Sequence, residues 1–264
     1  MNILDEIIAN KRREVSDLQK KVPIAQLTAA AAAQARPKPF SQTLRARATV
    51  AIIAEIKKAS PSAGVIREDF DPEKIATIYE SHGAAAISIL TDEKYFQGKL
   101  DYLKSVREHV KLPLLRKDFV VDPYQVVEAR ASGADAILLI LSVLSRSQFA
   151  ELAAAAHECH LQWLVEVHTI KEMERALSDD VRFIGINNRD LATFATDLRT
   201  TKKLAEIVPP EVVLVSESGI KRRADIELLS CFGVDAVLIG ETLMREQNIG
   251  VELEKLTGVP KCLR

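Results

Sequence analysis

The chain is short of cysteine and of net charge, and each shortage excludes something. There are three cysteines, Cys159, Cys231 and Cys262, odd in number and widely spaced. That argues against a disulfide framework and suits a reducing compartment, the cytoplasm. With 36 basic and 37 acidic residues the formal net charge is −1. No global field is available to hold nucleic acid or an anionic membrane surface. No apolar stretch is long and charge-free enough to span a bilayer. The N-terminus carries Asp5 and Glu6 and no long apolar core, so it does not read as a signal peptide. No G-x-G-x-x-G loop follows the first apolar strand, which weighs against an open, doubly wound sheet. At 264 residues the chain is long enough to bury a large core as one domain.

What is present is charge where an apolar strand ends. Residues 50–54 are a short apolar run of the kind that forms a strand covered on both faces. Glu55 and Lys57 follow, two apart, which on a strand points both to one face. Ser60-Pro-Ser62-Ala-Gly64 then breaks the chain into a loop. Buried charges are costly unless paired. A plain ion pair at a strand end would also explain this one motif. The pattern recurs, however, at Leu115-Arg-Lys117-Asp-Phe119, Val165-Glu166-Val-His168, Gly185-Ile-Asn187-Asn-Arg189-Asp-Leu191 and Ser216-Glu217-Ser218-Gly219. Polar groups gather at the C-terminal ends of strands, as on the active-site face of an α/β protein.

The junctions Gly83-Ala-Ala-Ala-Ile87, Gly133-Ala-Asp-Ala-Ile137 and Gly233-Val-Asp-Ala-Val237 repeat one another at spacings of 50 and 100 residues. Each glycine stands where a helix end needs a left-handed residue. Two βα units per 50 residues make these strands the second, fourth and eighth, and place the sixth near 183, where Asp179-Asp180 replaces the glycine. Strands are expected near 50–56, 85–90, 112–116, 135–140, 162–167, 182–187, 212–216 and 235–239. Helices are expected near 72–82, 98–109, 123–132, 146–158, 170–178, 199–207, 221–230 and 250–256. Eight alternating pairs make an α/β fold, a (βα)8 TIM barrel, with residues 1–264 as one barrel domain.

Residues 1–45 lie outside the repeat, which closes without them. Ile3, Leu4, Ile7, Ile8, Val15 and Leu18 give an amphipathic helix over 2–20, and Arg36-Pro-Lys-Pro-Phe40 reads as a linker. Such a helical extension would cover the active-site mouth or plug the barrel bottom. His157 and His160 fall three apart on an expected outer helix with no third ligand nearby, so a solvated face is the default over a metal site. Phe96 and Phe119, beyond strands two and three, suit a wall against a planar ligand. Ser218-Gly219 after strand seven and Gly240-Glu241 after strand eight stand where barrels often hold phosphate through backbone N–H groups; plain turn glycines would look the same.

Ala54-Glu-Ile-Lys57-Lys-Ala-Ser60-Pro-Ser62 resembles the signature of the indole-3-glycerol-phosphate synthase family. Leu90-Thr-Asp-Glu-Lys-Tyr-Phe96-Gln-Gly98 and the strand-end blocks above are similar to that family's blocks, in order and over nearly the whole chain. The chain stops at Arg264, where some bacterial relatives continue into a phosphoribosylanthranilate isomerase barrel, so the resemblance is to the monofunctional type. It implies conversion of 1-(2-carboxyphenylamino)-1-deoxyribulose 5-phosphate to indole-3-glycerol phosphate with loss of carbon dioxide and water. It implies no cofactor and no metal, and a phosphorylated small molecule as substrate. Neither nucleic acid nor membrane is expected as a partner, and the chain is expected to act as a monomer or at most a weak homo-oligomer.

The resemblance also implies roles. Lys117 would protonate the carbonyl oxygen as the ring closes, Glu166 would handle the proton in dehydration, and Lys57 would hold anionic and hydroxyl groups. Glu55, Asn187 and Glu217 would orient them, Arg189 would bind an anionic group, and Ser60 would share the mouth. Ser218, Gly219, Gly240 and Glu241 would hold phosphate mainly through backbone, with the Glu241 carboxylate turned away, since some members have serine there. Two rivals are another phosphosugar enzyme of this fold, such as an aldolase with Lys57 or Lys117 as Schiff-base lysine, and a non-catalytic binding barrel.

Overall fold

A computed structural model describes residues 3–190 and 193–262; Leu191, the last residue of its motif block, lies outside them. The apolar runs become eight parallel strands: β1 (Ala51–Ile56), β2 (Ala86–Leu90), β3 (Leu114–Lys117), β4 (Ala136–Ile140), β5 (Gln162–Val167), β6 (Phe183–Asn187), β7 (Val213–Glu217) and β8 (Ala236–Ile239). Each pairs with its sequence neighbour, and β1 closes the barrel on β8 with Ala51 opposite Ala236. β3 starts two residues later than expected, because Pro113 has no N–H to give the ladder. The eight expected outer helices are α4 (Pro72–Ser81), α6 (Asp101–His109), α7 (Pro123–Ala131), α8 (Arg146–Glu158), α9 (Ile170–Ser178), α10 (Arg199–Ala205), α11 (Arg223–Cys231) and α13 (Ile249–Leu256).

Gly83, Gly133 and Gly233 take φ of 96°, 85° and 76°, the left-handed turn the junctions need. Where glycine is missing, Asp180 adopts φ 56°. His160 does the same at φ 57° after α8 ends at Glu158. It is therefore off the helix that carries His157, which removes the premise of a helical histidine pair.

Side chains alternate along each strand. Ile52, Ala54, Ile56, Ile87 and Ile89 point outward into the layer shared with the helices. Ala51, Ile53, Leu115, Leu138, Leu164, Val213 and Val215 point inward to a second buried cluster. The same two-residue period carries the inward rows onto Glu55, Lys117, Glu166, Asn187 and Glu217 at the C-terminal ends. The barrel interior is thus apolar at one end and charged at the other.

Residues 3–45 serve both ends. α1 (Ile3–Lys21) crosses the C-terminal mouth, placing Ile3, Leu4 and Ile7 on the cavity there. α2 (Ile24–Ala33) packs against α7. Phe40, expected in a linker, instead opens α3 (Phe40–Arg45). Phe40 and Leu44 are fully buried in the inner cluster, with the Phe40 ring 5.8 Å from that of Phe183. The ring of eight strands closes without this segment, as expected, but the segment is needed to fill its interior. A ring of strands leaves its bottom open, and these two apolar side chains fill it.

Candidate active site

The C-terminal mouth holds a cavity of about 860 Å³. Every residue expected at the mouth lines it: Glu55, Lys57 and Ser60 after β1, Phe96 after β2, Lys117 and Phe119 at β3, Glu166 on β5, Asn187 and Arg189 at β6, Glu217, Ser218 and Gly219 at β7, and Gly240 and Glu241 after β8.

At its floor, Lys117 Nζ is 3.1 Å from Glu166 Oε2 and 3.4 Å from Glu217 Oε2. Burial pulls the lysine down, but Glu166, Glu217 and Glu55 outweigh it and raise it above the ordinary range. Burial pushes Glu166 up, yet Lys117, His168 and Asn187 hold it well below the usual carboxylate range. Glu217 goes the other way. Burial, with Glu166 and Glu55 repelling, pushes it to about 7 despite Lys117. Among the described residues its Oε1 finds no donor, and it stands 2.3 Å from where a Cβ on Gly185 would lie, so the glycine of β6 makes room for it.

Lys57 Nζ sits 2.9 Å from Glu55 Oε2, the same-face pair expected from their spacing. Phe96, the last residue of the short α5 (Glu93–Phe96), and Phe119 stand 6.2 Å apart as one wall of the mouth. Arg189 donates to Ser62 Oγ at 3.3 Å and lies 3.7 Å from Glu241. Glu241 accepts from Arg245 at 2.8 Å, one turn along α12 (Glu241–Arg245). Gly219 has φ 79°, the left-handed region that favours glycine. Gly240 has an ordinary φ of −120°, and its need is different: a Cβ there would come within 2.2 Å of Glu55 Oε2.

Sequence reasoning missed a layer behind the mouth. Lys11 of α1 is 4% exposed and contacts Asp92 at 2.8 Å and Asp118 at 3.0 Å. Arg116, alternating outward from Lys117, bonds Asp118 at 3.1 Å and Glu128 of α7 at 2.8 Å. The signal was there: Lys11 interrupts the apolar stripe of α1 between Ile8 and Val15.

Alternating lysines and carboxylates with split proton affinities, inside a walled cavity at the C-terminal mouth of a (βα)8 barrel, define an enzyme that moves protons on a small anionic substrate. A Schiff-base lysine is activated by a lowered proton affinity, and the carboxylates around Lys117 raise its affinity instead.

Residues 4–256 match the family model described as indole-3-glycerol phosphate synthase. Indole-3-glycerol phosphate synthase of Acidithiobacillus ferrooxidans is 52% identical over 258 residues, covering 97% of this chain and 98% of that one. The enzyme of that name from Rhodopirellula baltica is 48% identical over 256 residues, covering 97% and 99%. The chain belongs to the indole-3-glycerol phosphate synthase family. It is an enzyme of tryptophan biosynthesis, a decarboxylating cyclase. Among solved structures, thiamine phosphate pyrophosphorylase of Pyrococcus furiosus superposes with a TM-score of 0.59 at 18% identity, over 81% of this chain and 95% of that one. A chain of the tryptophan synthase α2β2 complex of the same organism gives 0.58 at 17%, over 79% and 98%. These share the fold alone. Among the described residues no helix is long and apolar enough to cross a membrane.

Proposed function

We propose that Lys117, Glu166 and Lys57 carry the chemistry by which this enzyme converts 1-(2-carboxyphenylamino)-1-deoxyribulose 5-phosphate to indole-3-glycerol phosphate. The ring carbon bearing the carboxylate attacks the ketone, so charge grows on the carbonyl oxygen. Lys117, held charged between Glu166 and Glu217, always has a proton to give that oxygen. Its acidity is reversible: a proton taken up by Glu217 removes one anion from beside it and weakens its hold on its own. Carbon dioxide then leaves with its bonding electrons returned to the ring. Glu166, poised as an ionised base, takes the ring-side proton, and the hydroxyl leaves as water with a proton from Lys57, which lines the same cavity.

The remaining groups bind and orient. Phe96 and Phe119 flank the aromatic ring. Lys57 and Arg189 offer cations to the substrate's carboxylate and hydroxyls, with Glu55 and Asn187 holding them in place. Ser60 lies on the same rim. The loops at Ser218-Gly219 and Gly240-Glu241 receive the phosphate through backbone, while Glu241 turns its carboxylate to Arg245. The observation that carries this reading is one ammonium, Lys117, between two carboxylates of opposite poise at the cavity floor.

An absorbance assay for indole formation tests it. Lys117→Ala should keep its fold by circular dichroism and lose at least ~10²-fold in turnover, the usual worth of a positioned acid. Near-normal turnover in that variant would remove Lys117 from the mechanism.

A further inference from the structure

His168 stands outside the cavity that holds Lys117, yet it touches the carboxylate that Lys117 engages. It follows Glu166 by two residues, past the end of β5, with its side chain 12% exposed. Its Nε2 is 3.3 Å from Glu166 Oε1 and its Nδ1 is 3.5 Å from Glu172 Oε2 on α9, both as charge contacts off hydrogen-bond geometry. A neutral imidazole has one N–H and one lone pair, and here the lone pair would face a carboxylate. A ring protonated on both nitrogens suits both neighbours. Glu172 is fixed in turn: its Oε2 accepts from the His168 backbone N–H at 2.7 Å, and its own N–H donates to Thr169 at 3.2 Å. Glu166 Oε1 also accepts from Asn187 at 3.2 Å, and Oε2 faces Lys117.

We propose that His168 is a positioning residue for Glu166: braced by Glu172, it pins Oε1 beside Asn187 and leaves Oε2 to Lys117 and the substrate. This rests on Glu166 as the proton carrier of the reaction. It gives Glu166 two sides, one turned to the chemistry and one anchored in the wall. The anchor lies on a second cavity, of about 920 Å³, whose lining includes His168 and Glu172. Asp5 and Arg12 of α1 and Arg189 and Asp190 beyond β6 border the same space, so charges of both signs share it with the ring. Burial pulls the imidazole down, and the two carboxylates outweigh it and push it up to about 10. The cation then helps keep Glu166 ionised.

The signs follow. Losing the cation in His168→Gln raises Glu166, so the acid limb of the kcat profile moves to higher pH. Glu172→Gln removes one anion from His168, so its charge is lost at lower pH and the basic limb moves down. Misplacing a reacting group by about 1 Å can cost ~10²-fold. His168→Gln should therefore lower kcat by about 10- to 10²-fold with little change in KM.

The experiment pairs kinetics with nitrogen NMR of the full-length protein labelled on histidine, the His168 signal assigned by its loss in His168→Gln. The expected signal is that of imidazolium throughout the neutral range. A ring that titrates near the ordinary value of about 6.5 overturns the proposal whatever the activity does. So does an unshifted pH profile in both variants, or a His168→Gln enzyme with normal kcat. If Glu166→Gln turns over normally while His168 stays charged, the reading of Glu166 fails first and the positioning role falls with it.

Discussion

At the scale of single residues, the site works by giving like groups unlike surroundings. Glu166 and Glu217 both reach Lys117, but the far oxygen of Glu166 accepts from Asn187 and lies 3.3 Å from the His168 ring, while among the described residues Glu217 Oε1 has no donor. One carboxylate stays ionised and the other is moved from an ordinary 4.5 to about 7. A raised carboxylate has a consequence for stability. Between these two values the native protein keeps a proton that the unfolded chain has released. This group's contribution is full below the unfolded value and is lost as pH rises through about 7. Glu217→Gln should remove that part of the slope. The measurement is the melting temperature on either side of neutrality: the parent should lose more than the variant on going from mildly acid to mildly alkaline buffer. Equal losses would mean that Glu217 titrates as an ordinary carboxylate.

At the scale of elements, α1 is a helix held by a charge in the middle of its apolar face. Ile7, Ile8 and Val15 are buried, and so is Lys11 between them. Its partner Asp118, despite burial, is drawn down to about 2 by Lys11 and Arg116, so it keeps its charge. Asp118 also accepts from the Phe119 N–H at 2.8 Å, which ties the helix to the aromatic wall. Removing one partner of a buried ion pair costs about 3–5 kcal/mol, mostly from the charges left behind. Release of a terminal helix relieves that cost more readily than global unfolding does. Lys11→Ala should therefore free α1, speed protease cleavage within residues 3–21 and raise KM by tenfold or more (about 1.4 kcal/mol per factor of ten). Deleting residues 1–22 should do the same while sparing the bottom plug. A truncated enzyme with normal kcat/KM at a temperature where it is fully folded would sink the role of α1 as a cover.

At the scale of the whole molecule, the barrel separates stability from chemistry along its axis. The inward rows are apolar from Ala51 and Ile53 up to the level of Glu55, and likewise from Val213 and Val215 up to Glu217. The apolar end is closed by Phe40 and Leu44 and the charged end by α1. Conserving this division allows mouth loops to vary without unfolding the barrel. Phe40→Ala should cost about 3–5 kcal/mol, the usual range for a buried phenylalanine. Denaturant titration should show that loss, and kcat/KM should stay unchanged wherever the variant is folded. A matching fall in kcat/KM would mean that the two ends are coupled.

Much of this protein was fixed by its sequence. Local rules decide strand and helix: glycines that take a left-handed turn at no steric cost, apolar runs with a period of two, and helix caps such as Asp71 and Asp122. Because the same unit recurs, those rules also gave the barrel, and they placed charge at one end of it. The inward-facing residues from Glu55 to Glu217 were legible for that reason. Tertiary structure decided what depends on distance between segments far apart in the chain. The linker reading of Phe40 failed because only the open barrel bottom makes a helix there favourable. Lys11 could be seen to interrupt a stripe, but its partners lie about eighty and a hundred residues away and meet it only after folding (Asp92 and Asp118). Gly240 was read for phosphate, and its close neighbour proved to be Glu55 from the other end of the chain. Alternation along a strand says which way a side chain points; what it meets there is set by which strands the closed sheet brings side by side.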